Sequence, residues 1–156
     1  LMFTLIEQAD ELRKKLEKAV HEDESAFAAV MAAYKLPKDN QEQIEQREHV
    51  IQKTTLQATL VPLETARMAL AVLRLGETAC SLGNVNAITD AYSAVQLAAA
   101  SLSAAAANIS INLNSLDDEK NKEKISQELI SLKEEKEAIL ARVAQCVRER
   151  SQIALI

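Results

Sequence analysis

The chain has 156 residues, 48% of them hydrophobic and 26% charged, and 23 acids against 18 bases leave a net charge of −5. Two glycines and two prolines are too few turn residues for a sandwich, a barrel or a doubly wound sheet. Disordered, collagen-like and disulfide-scaffold classes are excluded as well. Charges mixed along the whole length offer no basic stripe, so nucleic acid is not an expected partner. What remains is an all-α protein: a multi-helical bundle of long helices forming one domain over 1–156, rich in strong helix formers and long enough to bury its own core.

The first helix carries apolar residues at Leu5, Ala9, Leu12, Leu16, Ala19, Phe27, Val30 and Tyr34, in steps of three and four. It should stop at Lys35-Leu36-Pro37, where proline excludes helical backbone at the preceding residue. Asp39 and Asn40 then supply a cap for a second helix, polar to about Thr55 and apolar beyond. Pro62 is expected to kink or divide that helix, whose continuation, about Leu63 to Leu82, ends at Gly83 as a C-cap. A third helix is expected from about Asn86 to Leu113. The last begins near Leu116 with Ser115-Leu116-Asp117-Asp118 as its start signal. Its seam is Ile125, Leu129, Leu132, Ile139, Val143 and Cys146, interrupted by Lys136 and Arg150.

Between Thr78 and Leu116 the single charge is Asp90. The stretch is long enough to cross a bilayer, but it is mostly Ala, Ser, Asn and Gln and lacks anchoring aromatic or basic residues, so no membrane is expected. The reading is instead a small-residue central helix buried on all sides. On it Asp90, Ala94, Leu97, Ser101, Ala105, Asn108 and Asn112 share one face. Asp23 similarly interrupts the apolar stripe of the first helix. Each acid is expected to be paired internally or to line a cavity. The simpler alternatives are a solvated seam edge for Asp23 and a dipole-stabilised first-turn acid for Asp90. Cys80 and Cys146 have no metal-ligand spacing and read as reduced core residues of a cytoplasmic protein, with no metal site. His21 and His49 and the serines lack partners that would give them a chemical role.

Several segments, in order, resemble one known family. They are Asp23-Glu24-Ser25-Ala26-Phe27, the run from Val30 to Tyr34-Lys35-Leu36-Pro37-Lys38, Val61-Pro62, Gly83-Asn84-Val85-Asn86 with Thr89-Asp90, and Asn108-Ile109-Ser110-Ile111-Asn112-Leu113. They are similar to the C-terminal domains of formiminotransferase-cyclodeaminases and to the related bacterial methenyltetrahydrofolate cyclohydrolases. The family's opening glycine-rich segment has no counterpart here, and Ala104 stands where the family carries glycine.

The resemblance implies a homodimeric folate one-carbon enzyme, cyclodeaminase or cyclohydrolase, with no cofactor beyond its tetrahydrofolate substrate. Either reaction needs a pocket that orients the pterin, a carboxylate that moves a proton and amides that hold polar edges. Asp90 and Asp23 are the expected catalytic acids. Asn84, Asn86 and Asn112 are expected to bind the substrate, Lys35 and Lys38 to meet its glutamate tail, and Tyr34 to stack on the pterin. Asn112 lies about 33 Å along the helix from Asp90 and would share its site only across a dimer, or would bind a helix end instead. The alternative reading is a non-catalytic helical module for interaction or oligomerisation.

Overall fold

The computed structural model describes residues 2–152. Its elements are four long helices, α1 (Met2–Tyr34), α2 (Gln41–Leu82), α3 (Ile88–Asn114) and α4 (Glu119–Ser151), with a single 3-10 turn, Val85–Ala87, before α3. Short connections reverse the chain each time, so α2 and α4 run parallel. Their register is visible in two pairs one heptad apart, Arg67 to Glu128 and Arg74 to Glu135.

Local chemistry sets the helix ends. Asn40 has extended backbone and its side chain accepts from Gln43 N at 2.9 Å, while Gln43 Oε1 accepts from Asp39 N at 2.8 Å, a reciprocal cap. Asp118 accepts from Asn121 N at 3.1 Å. The last helix therefore begins at Glu119, later than the sequence signal at Ser115. The turn before it is clamped by Gln52, which donates to Ser115 O and accepts from Asp117 N, with Leu116 buried beneath. Gly83 ends α2 in extended backbone, φ −76°, and donates to Ala79 O; it does not adopt the left-handed form.

The central helix is α2, not α3. It packs against all three others and sets Leu63, Ala66, Leu70, Leu73 and Cys80 into the core. α3 buries Val95, Ala98, Leu102, Ala106 and Ile109 but leaves Asp90, Ala94, Leu97, Ser101 and Asn108 exposed. The expectation of burial all round fails because α1 lies along α2 and does not close over α3. Gly76 lets these two core helices meet: a Cβ there would fall on Val95 Cγ2. α2 and the segment Val85–Asn114 are each long and apolar enough to span a membrane, yet their apolar lines are the core itself.

α1 meets α2 through a heptad line, Leu5, Leu12, Ala19, Ala26 and Ala33, of which the three alanines are buried. Small residues allow close approach, and the helix turns so that Phe27 and Tyr34, expected inside, face outward at 66% and 48% exposure.

Pro62 neither breaks nor divides α2, which is helical from Gln41 to Leu82. A proline leaves the carbonyl four residues earlier without its helical donor. Here Asn112 Nδ2 of α3 donates to that carbonyl, Ala58 O, at 2.8 Å.

The two interruptions in the α4 seam are inter-helix bonds. Lys136 donates to Ser103 Oγ at 3.0 Å. Arg150 donates to Cys80 O and to Gly83 O, two carbonyls at the C-terminus of α2 where a cation is favoured.

Candidate functional site

Three helices meet around a cleft of about 510 Å³ lined by Ala19, Val20 and Asp23 of α1, Pro62 and Thr65 of α2, and Ser101, Ala104 and Asn108 of α3. Asp23 stands one turn after the buried Ala19, so the seam against α2 aims it at the cleft mouth. Ser101 and Asn108 are seven residues apart and share a face of α3. Thr65 donates to Val61 O at 3.3 Å. Among the described residues, Asp23, Ser101 and Asn108 have no protein hydrogen-bond partner, so a carboxylate, an amide and a hydroxyl are free to meet a ligand over an apolar floor of Pro62 and alanines. Such a set can hold the polar edge of a flat heterocycle and exchange one proton with it.

A larger groove of about 690 Å³ lies between α1, α2 and α3, walled by Leu5, Ile6, Leu16, Leu75 and Ala91. Its charged residues, Arg13 and Glu17, bond to each other at 2.7 Å, leaving an apolar surface without a free acid or base.

The expected site residues fall into separate groups. Asp23 lines the cleft but is exposed rather than buried. Asp90 is also exposed, about 27 Å along α3 from Asn108; the expectation of a cavity-lining acid is met by Asp23, while Asp90 takes the first-turn position of its simpler alternative. Asn84 caps the 3-10 turn, accepting from Asn86 N at 3.0 Å. Asn86 is exposed in that turn. These three lie at the end of the bundle opposite Tyr34, Lys35 and Lys38, because α1 and α3 both run antiparallel to α2. Asn112 is half-buried and bonded to α2.

The sequence reading singled out neither Thr65 nor Arg47, and it put Ser101 and Asn108 on the polar face of α3 without assigning them to the site. The guanidinium of Arg47 lies 5.7 Å from the Tyr34 ring centroid and its Nη2 donates to Tyr34 O at 3.2 Å. Its Nε is closed off from solvent and has no acceptor. Nothing local in the sequence marks this residue, 13 positions from its partner.

A four-helix bundle with a three-walled cleft holding a free carboxylate and amide has room and polar groups for a small molecule. Residues 1–131 match the formiminotransferase-cyclodeaminase family, and the chain belongs to it. It is 37% identical over 146 residues to methenyltetrahydrofolate cyclohydrolase of Methylorubrum extorquens, covering 94% of this chain and 70% of that protein. It is 29% identical over 138 residues to formimidoyltransferase-cyclodeaminase of Rattus norvegicus, of which it spans 26%. The crystal structure of formiminotetrahydrofolate cyclodeaminase from Thermotoga maritima superposes with a TM-score of 0.81 at 26% identity, over 92% of this chain and 68% of that one.

Proposed function

We propose that the chain is a folate one-carbon enzyme that hydrolyses 5,10-methenyltetrahydrofolate to 10-formyltetrahydrofolate, with Asp23 as the proton-transfer group. The observation that carries this is the free Asp23 carboxylate facing Asn108 and Ser101 across the cleft. The amidinium carbon of the substrate is already electrophilic, so the protein has to place water and move a proton. Asp23 accepts a proton from the attacking water, a tetrahedral adduct forms, the carbon–N5 bond breaks, and N5 takes a proton as the formyl group remains on N10. One proton is released overall. Asn108 and Ser101 hold polar edges of the pterin, and no redox or metal cofactor is called for by this chemistry.

A second reading, cyclodeamination, is favoured by the structural likeness to the Thermotoga maritima enzyme. There N10 attacks the formimino carbon on N5, Asp23 passes the N10 proton to the departing nitrogen, and with a second proton from solvent the carbon–nitrogen bond breaks and ammonia leaves.

The working form is read as a cytoplasmic homodimer. The large apolar side chains of Phe3, Ile6, Val20 and Leu97 left exposed on α1 and α3 support a covering partner copy. The free thiols of Cys80 and Cys146 suit a reducing compartment. In that form Asn84 and Asn86 of the 3-10 turn and Asp90 of the first turn of α3 would meet a folate cleft from the second copy.

The test is the decay of the methenyltetrahydrofolate chromophore at neutral pH, corrected for spontaneous hydrolysis. Acceleration by the chain, with protection against thermal unfolding by folate, is expected; no acceleration, no protection and no ammonia release from formiminotetrahydrofolate would leave a non-catalytic helical module.

A further inference from the structure

Asp23, Phe27, Val30 and Tyr34 succeed one another at steps of four, three and four along α1, so they form one stripe on the side of the helix that faces the cleft. From Asp23 to Tyr34 this stripe runs about 16 Å. Its middle is aromatic and open, with Phe27 at 66% exposure. Its far end is cationic. Arg47 of α2 lies against the Tyr34 ring, and the loop that follows Tyr34 carries Lys35 and Lys38.

Arg47 differs from the guanidinium groups of Arg13, Arg67, Arg74 and Arg142, each of which is paired to a carboxylate. Among the described residues Arg47 has no acid partner, and its sole acceptor is the Tyr34 carbonyl. Its Nε is covered without an acceptor, an arrangement that costs free energy until a further acceptor arrives. The planar guanidinium fork fits a carboxylate bidentately.

We propose that Arg47 anchors the glutamate carboxylate of the folate, with Phe27 carrying the p-aminobenzoyl ring between it and the pterin held at Asp23. This rests on the folate reading above. An extended p-aminobenzoyl-glutamate arm is of the same order of length as the stripe from Asp23 to Tyr34, about 16 Å, at whose end Arg47 lies. The carboxylate supplies the acceptor that Nε lacks. Arg47 is a binding residue, remote from the reacting carbon. Its loss should weaken recognition of the tail and leave the chemical step intact.

The experiment compares 5,10-methenyltetrahydrofolate with 5,10-methenyltetrahydropteroate, which lacks the glutamate, on the full chain and on Arg47→Met and Arg47→Lys. Arg47→Met is expected to raise KM for the glutamate-bearing substrate about tenfold, the worth of one good charge-assisted contact, with kcat within about twofold. KM for the pteroate should not move. Arg47→Lys keeps the charge without the fork and should fall between, and it decides the matter if the methionine variant does not fold. Equal KM changes for both substrates, or none for either, overturn the proposal while the folate reading stands. If the parent chain turns over and binds neither compound, the folate reading falls and the role of Arg47 with it.

Discussion

Asn112 of α3 donates from its side-chain amide to Ala58 O of α2 at 2.8 Å, the carbonyl that Pro62 deprives of its helical donor. One side chain thereby keeps a 42-residue helix continuous across a proline and ties α3 to α2 beside the cleft. Replacing Asn112 by alanine should cost about 1–3 kcal/mol through the orphaned carbonyl. In a Pro62→Ala background the restored N–H can satisfy Ala58 O, so the same replacement should cost much less. Denaturant melts of the four proteins in this cycle measure the coupling; equal costs in both backgrounds would remove the link between the two residues.

Asp23→Asn should slow the methenyl decay by about 100-fold or more, the usual worth of a positioned acid or base, with thermal stability nearly unchanged because the side chain is exposed and free of protein partners. Asp90→Asn in the same assay separates two sites. No effect on the rate keeps the chemistry in the cleft of one protomer. A comparable loss brings the Asn84–Asp90 end into the reaction across a dimer.

The ion pairs joining α2 to α4 predict the direction of acid sensitivity. Glu128 is held below its ordinary value of 4.5, chiefly by the hydrogen bonds from Arg67 and then by its charge. A carboxylate depressed in the folded state stabilises the fold above its unfolded pKa, and that contribution fades as pH falls through the folded value. Arg67→Met should therefore lower stability at neutral pH by less than about 1 kcal/mol, since both partners are substantially solvated. The gap from the parent should close as pH drops below 4.5. Melting curves between neutral pH and acid test this; a gap that persists in acid would mean the arginine acts through packing.

Thiol labelling should be ordered. Cys80 is fully buried, and burial, then the neighbouring Cys146, push its pKa up while Arg150 opposes them. Cys146 is half-buried and should react first with a soluble disulfide reagent, with Cys80 following only on opening. Arg150→Met removes the guanidinium from the carbonyls of Cys80 and Gly83, leaving Cys80 O only the weak Cys146 thiol donor, and should speed labelling of Cys80 several-fold. Unchanged kinetics would show that Arg150 does not hold the end of α2 closed.

What could be read from the sequence followed the range of the forces involved. Pro37 and Asn40 act over one or two turns, and the boundaries they imply are the observed ones. The depth of each helix face depends on which helix stands in the middle, and periodicity carries no such information. Thus the apolar stripe ending at Phe27 and Tyr34 was expected inside, while the line through Ala19, Ala26 and Ala33 lies against α2. The same limit applies to the cleft. Asp23 stood out as an acid on an apolar stripe, and Asn108 and Ser101 as members of one face, but Thr65 and Arg47 enter only because α2 runs beside both other helices. That Pro62 does not divide α2 was hidden for a related reason: the donor that compensates for it comes from a residue 50 positions away in the chain.

The buried residues of α1 are three alanines, and burying a methyl group contributes little free energy beside burying a leucine. The buried leucines, isoleucines and valines all lie beyond α1, almost all on the remaining three helices. The bundle is therefore a firm three-helix chassis with a lightly clipped fourth rod, and that rod carries the Asp23 carboxylate. Any molecule that touches Asp23 and Asn108 together is a temporary strut between rod and chassis. Occupancy should be written first in the amide exchange of α1, slowing there while the interior of α2 and α3 scarcely changes.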